Sequence, residues 1–146
     1  MNKVSVTWKN VFEFVDKLVL KYKNNPPDCI LAIARGGVFI GTLLSYKLDI
    51  PVRYVGVSSY IGDKKTDNVH FTQHAEISEF KNILVIDDII DSGDTIQFVK
   101  DVLGNSFDKH FEFVTMFAVE GKENDIDWYD MIKRKDEWVE FPWELI

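Results

Sequence analysis

The residues best equipped for chemistry lie in one stretch, Ile83-Leu84-Val85-Ile86-Asp87-Asp88-Ile89-Ile90-Asp91-Ser92-Gly93-Asp94-Thr95. Its apolar start delivers two adjacent carboxylates, Asp87 and Asp88, which repel each other. Such a pair makes sense where it accepts hydrogen bonds from sugar hydroxyls or holds a hard cation. The turn that follows, Asp91, Ser92, Gly93, Asp94 and Thr95, is small and hydroxylated and opens a helical face at Ile96, Val99 and Leu103. A helix N-terminus aims several N–H groups and the positive end of its dipole at one point, where a phosphate fits. A phosphate beside a ribose diol is the ligand these residues imply. An isolated Asp-Asp pair is more often part of a solvated turn, and it is the completeness of the stretch that favours a site. His70, His74 and His110 show no metal-ligand spacing with each other or with Cys29.

These groups need a frame, and the apolar pattern supplies one. Asn10 with Glu13 fits a capping box ahead of Val11, Phe12, Val15, Leu18, Val19 and Tyr22, an amphipathic first helix ending near Asn24-Asn25-Pro26-Pro27. Thr7 is an alternative N-cap. Cys29 to Ala34 reads as a short buried strand, Arg35-Gly36-Gly37 as a break, Val38 to Leu48 as a helix and Val52 to Val57 as a second strand. Residues 58 to 80 are polar, centred on Gly62-Asp63-Lys64-Lys65-Thr66-Asp67-Asn68, and read as a long excursion of the kind that is usually functional or disordered. Ile83 to Ile86 and Phe111 to Ala118 complete the strands, and the tail from Glu120 is less regular. Alternating strands and helices imply one α/β domain, an open, mainly parallel twisted sheet flanked by helices, with ligands beyond the carboxyl ends of the strands.

Composition narrows the partners. The chain has 146 residues, 46% hydrophobic and 28% charged, which fits one folded domain. The formal charge of -7 opposes binding to a nucleic-acid backbone. A phosphorylated small molecule remains compatible, because backbone amides, a helix N-terminus or a magnesium ion supply local positive potential. No apolar run is long enough to span a bilayer and the N-terminus lacks a signal-peptide pattern, so the expected location is cytoplasmic. Cys29, the only cysteine, reads as a buried structural thiol.

The stretch from Ile83 to Thr95 closely resembles the phosphoribosyl pyrophosphate (PRPP) motif of the type I phosphoribosyltransferases. Leu31-Ala32-Ile33-Ala34-Arg35-Gly36-Gly37-Val38 resembles their pyrophosphate loop, and Ser59-Tyr60 resembles the dipeptide opening their flexible catalytic loop. Val6-Thr7-Trp8 and Trp138-Val139-Glu140-Phe141-Pro142-Trp143-Glu144 are similar to segments of the short bacterial xanthine-guanine members. The resemblance implies a purine-salvage transferase of 6-oxopurines, releasing pyrophosphate, magnesium-dependent and commonly a dimer or tetramer. It also implies a flexible loop at about 59–80 and a nucleobase hood at about 119–146.

By position, the resemblance gives Asp87 and Asp88 the ribose hydroxyls, Asp88 the magnesium contact, and residues 91 to 95 the 5′-phosphate. Asp91 faces the purine N7 as general base, and its alternative role is a helix N-cap. Arg35, Gly36 and Gly37 present a guanidinium and amides to pyrophosphate, with a cis peptide expected near Ala34-Arg35. Ser59 and Tyr60 join the PRPP contacts, while Lys64 or Lys65 adds charge to a closing lid or is simply solvated. Trp138 stacks on the base, or fills the core, and Val139 lines the pocket with its backbone available to the base edge. One departure is clear: purine-specific members carry a lysine after the strand ending at Phe117-Ala118, whereas this chain has Val119, with Lys122 close by. Val119 gives weight to two alternatives, a phosphoribosyltransferase for a different nucleobase or a non-catalytic PRPP-binding regulator.

Overall fold

The computed structural model describes residues 1–61, 64–104 and 108–145. In chain order the elements are β1 (Asn2–Ser5), α1 (Trp8–Tyr22), β2 (Cys29–Ala34), α2 (Val38–Leu48), β3 (Val52–Ile61), β4 (Lys64–Gln73), β5 (Asn82–Ile90), α3 (Asp94–Leu103), β6 (His110–Val119), β7 (Trp128–Lys133) and β8 (Glu137–Glu140). Short 3-10 turns lie at Glu123–Asp125 and Pro142–Leu145.

The main sheet runs β4-β3-β2-β5-β6-β7, parallel throughout except for β4, which returns antiparallel on β3. Its central strands are apolar because both faces are covered. On one face Leu84, Ile86, Val114 and Met116 meet Val11, Phe14 and Leu18 of α1 and Ile40 and Leu44 of α2. On the other, Ile83, Val85 and Phe113 meet Ile96 and Val99 of α3. This layering leaves the carboxyl ends of β2 and β5 side by side, each feeding a loop that opens a helix.

Several expectations change. Helix α1 starts at Thr7, not Asn10: Asn10 N–H donates to Thr7 Oγ1 at 3.1 Å, and Thr7 N–H donates back to Asn10 Oδ1 at 2.9 Å. The capping box is therefore Thr7 with Asn10, and the earlier start extends the helix past Trp8.

The supposed long excursion is largely a hairpin. Strand β3 continues to Ile61 and β4 returns from Lys64 to Gln73, with register shifts between Gly56 and Val57 and between Ser58 and Tyr60. Polar residues dominate because β4 is an edge strand, and Phe71 ties it to α3 by packing on Phe98 at 4.8 Å between ring centres.

The tail is also more regular than its sequence. β7 adds a sixth strand to the main sheet, while β8 pairs in parallel with β1 to form a separate two-stranded sheet. Among the described residues, no helix is long and apolar enough to cross a membrane.

Candidate active site

Asp87 and Asp88 lie inside β5, which keeps pairing with β6 beyond them through Ile89 and Ile90. Asp87 is 8% exposed. Asp88 is half-buried, and its N–H donates to Asp87 Oδ1 at 2.9 Å. Burial, then the neighbouring charge, pushes the Asp87 carboxyl well above the usual carboxylate range. Burial also pushes Asp88 up to about 6, against hydrogen bonds from Asp87 and the Ile89 N–H that favour its charged form. Metal-free, the pair holds its negative charge at a cost that hydrogen-bond donors or a hard cation would relieve.

The glycine loop is packed directly against this pair. A Cβ on Gly36 would collide with the Asp88 carboxylate. One on Gly37 would collide with the Ile86 carbonyl oxygen and stand 3.1 Å from Asp87 Cα. Glycine at both positions lets the backbone from Arg35 to Gly37 lie against the acidic end of β5. The Ala34–Arg35 peptide is cis, and Arg35 is exposed.

The third part follows β5 directly. Gly93, at φ 88, turns the chain into α3 and is itself the N-cap, with no side chain capping the helix. Asp91 is thus not the N-cap; it is exposed on the turn. Asp94 N–H donates to Ser92 Oγ at 3.2 Å, which shapes the turn. A cavity of about 100 Å³ is lined by Asp87, Asp91, Ser92, Gly93 and Thr95, among others. That volume is well below the roughly 300 Å³ of a drug-sized ligand pocket and suits a single phosphate group.

Trp138 and Val139 lie on β8 and face opposite ways. Trp138 is 57% exposed, which rules out the core role, while the Val139 side chain is buried in the main core. With its side chain in the core, Val139 has only its backbone to offer a ligand. Trp143 anchors this segment, stacking on Phe141 at 4.9 Å and on Phe39 of α2 at 5.2 Å. Ser59 is half-buried on β3 and Lys64 is exposed on β4. The side chains of Tyr60 and Lys65 lie outside the described ones.

Val119 is buried at the end of β6. Two lysines lie near it: Lys133, which the sequence pattern does not single out for this site, and Lys122, which it offers as a substitute donor. Lys133 is 8% exposed and pairs in register with Val119. Lys122 follows a turn in which its N–H donates to the Val119 carbonyl at 2.9 Å, and its side chain runs back toward Gly93. Tertiary placement alone reveals Lys133.

Another cavity, of about 310 Å³, opens elsewhere, between α1 and the amino ends of β5 and β6, lined by Tyr22, Asn82, His110 and Glu112. It lies at the pole of the sheet opposite the acidic pair, away from the carboxyl ends where parallel sheets bind ligands. Among the described residues, no three His, Cys, Asp or Glu side chains form a ready-made metal site. Magnesium is commonly held by one or two carboxylates plus substrate phosphates, a donor set to which Asp88 and Asp87 would contribute.

An open, mainly parallel sheet with an acidic pair and a glycine turn opening a helix at its carboxyl edge defines an α/β protein of the class that binds ligands beyond the carboxyl ends of its strands. Comparison with known proteins narrows that class: a phosphoribosyl transferase domain model matches residues 7–145. The chain belongs to the phosphoribosyl transferase domain family. A xanthine-guanine phosphoribosyltransferase of Idiomarina loihiensis is 30% identical over 118 residues, covering 80% of this chain and 70% of the relative. Another, of Nitratidesulfovibrio vulgaris, is 28% identical over 141 residues, covering 95% and 83%. The crystal structure of a purine phosphoribosyltransferase from Pyrococcus horikoshii superposes with a TM-score of 0.81 at 27% identity, covering 98% of this chain and 95% of that one.

Proposed function

We propose that this protein transfers ribose 5-phosphate from PRPP to a 6-oxopurine, guanine, xanthine or hypoxanthine, and releases pyrophosphate. The observation that carries the reading is the packing of Gly36 and Gly37 against Asp88 and the β5 end, which joins a pyrophosphate loop, a diol-binding pair and a phosphate turn in one site. The purine preference is supported by relatives that are themselves purine phosphoribosyltransferases.

In this reading Asp91 to Thr95 hold the 5′-phosphate at the N-terminus of α3, and Asp87 and Asp88 accept hydrogen bonds from the ribose hydroxyls. Arg35 and the amides of Gly36 and Gly37 hold the pyrophosphate. Trp138, already exposed, stacks on the base. A base nitrogen bonds to the anomeric carbon as the carbon–oxygen bond to pyrophosphate breaks, and the proton released from the purine passes to Asp91. Magnesium, held by Asp88 and Asp87, would neutralise the charge that gathers on the pyrophosphate. The β3–β4 hairpin, beginning with Ser59 and Tyr60, closes over the leaving group and keeps water from the anomeric carbon. The same reading makes the protein a cytoplasmic homo-oligomer, dimer or tetramer.

The test is pyrophosphate release from magnesium and PRPP with guanine, xanthine, hypoxanthine, adenine or uracil separately. Turnover with a 6-oxopurine, reduced about 100-fold or more in Asp91→Asn, supports the proposal. Turnover with uracil or adenine alone would reassign the acceptor, as buried Val119 allows, and no turnover with any base would leave a regulatory PRPP-binding role.

A further inference from the structure

We propose that Lys122 supplies the counter-charge for the 5′-phosphate held over Gly93. The inference rests on the phosphate role proposed above for residues 91 to 95 and adds a residue to it.

The charge balance of the turn calls for a cation. Asp91 and Asp94 belong to the phosphate turn itself, and Asp87 lines the same cavity. A third element adds a further carboxylate: Asp125 Oδ2 stands 3.6 Å from the point that a Cβ on Gly93 would occupy. Backbone amides and a helix dipole contribute only partial charges, equivalent to about half a proton at a helix N-terminus. A doubly charged phosphate among these carboxylates therefore needs a full positive charge nearby.

Lys122 is placed to give it. Its Cδ and Nζ stand 3.8 and 3.9 Å from that same point above Gly93. The turn after β6 directs it there: Gly121 adopts φ 93, Lys122 N–H donates to the Val119 carbonyl, and Asp125 N–H donates to the Lys122 carbonyl at 3.0 Å. Lys122 is half-buried and, among the described residues, makes no salt bridge. Lys100, also near this turn, is already committed, donating to the Asp125 carbonyl and lying over the Phe113 ring. The ammonium of Lys122 is thus beside the α3 N-terminus and open to an incoming anion.

Such a contact acts on phosphate and not on the base, which gives the experiment its discrimination. Steady-state kinetics and calorimetric binding of ribose 5-phosphate are compared for wild type, Lys122→Met and Lys122→Arg, with each variant's melting curve as a check on folding. The Met variant keeps the aliphatic stem and removes the charge. The expected result is a rise of about 10- to 100-fold in the KM for PRPP and in the Kd for ribose 5-phosphate, the range for losing one charged hydrogen bond. The KM for the base changes little, and Arg recovers most of the loss. Unchanged PRPP and ribose 5-phosphate affinity in a folded Met variant overturns the proposal. So does a rise confined to the KM for the base, which would assign Lys122 to the acceptor. A wild type that neither turns over PRPP nor binds ribose 5-phosphate refutes the phosphoribosyltransferase reading itself.

Discussion

Replacing Asp88 with Asn should make the metal-free protein more stable while removing its activity. Burial lifts the folded-state pKa of Asp88 from an ordinary 3.8 to about 6. At about 1.4 kcal/mol per pH unit, ionising this carboxyl inside the fold costs roughly 3 kcal/mol. The raised value fixes the sign: the folded state holds its proton more tightly, so wild type has its full stability below pH 4 and loses it as pH rises through about 6. The amide that replaces the carboxyl in Asp88→Asn has no such proton to lose. In EDTA, urea unfolding should find wild type and Asp88→Asn of similar stability near pH 4. By pH 7.5 the variant should be ahead by up to about 3 kcal/mol. Asp87 reinforces the effect, because the Asp88 charge is one reason its own carboxyl is raised. Magnesium with PRPP should stabilise wild type and not the variant, and turnover should fall with the lost ligand contact. A variant no more stable than wild type at pH 7.5, or a difference that does not change with pH, would refute the idea that the pair is ionised at a cost and kept for binding.

The remaining predictions probe other parts of the site and core. Gly37→Ala forces a Cβ against the Ile86 carbonyl and Asp87 Cα, so urea unfolding should show a loss of about 1–3 kcal/mol, with turnover largely abolished. Trp138→Ala, at an exposed position, should change stability by under about 0.5 kcal/mol. Loss of stacking should nevertheless raise the KM for the base about 10-fold. Burial pushes the Cys29 thiol from 9.0 up to about 11. Wild type should therefore lose up to about 3 kcal/mol as pH rises from 9 to 11. A Cys29→Ala variant lacks that slope, so the gap between the two in urea unfolding should narrow over this range.

What the sequence reveals depends on how local each signal is. The β2 strand and α2 are legible because an uninterrupted apolar run meets Gly36-Gly37 and then a helical pattern, all within about 20 residues. The turn from Asp91 to Thr95 is legible for the same reason, since its small residues follow the strand directly. The end of β5 is not: Asp87 and Asp88 look like a strand terminus, yet Asp87 pairs with Thr115 and Ile89 with Phe117. The hairpin escapes because an edge strand needs only one apolar face, and irregular register blurs even that alternation.

Pairings across long sequence separations are silent in the pattern. Nothing local shows that Lys3 lies opposite Trp138, that Lys133 lies beside Val119, or that Lys122 reaches Gly93. The Val139 side chain could not be placed from sequence either, because the alternation of β8 leaves open which residue faces the core until β1 and the aromatic cluster around Trp143 are in place. The strand-turn-helix motifs are thus readable along the chain, whereas the placement of Lys122, Lys133 and the Val139 side chain depends on tertiary contacts.

The central claim is that this site joins a base to the ribose of PRPP, and product stoichiometry tests it most directly. Purified protein is incubated with magnesium, PRPP and guanine, and the nucleotide and pyrophosphate are quantified in the same samples. The account predicts guanosine 5′-monophosphate and pyrophosphate in equal amounts, with neither formed when guanine is omitted. Pyrophosphate without nucleotide, at a rate indifferent to the base, would show hydrolysis in place of transfer and contradict it.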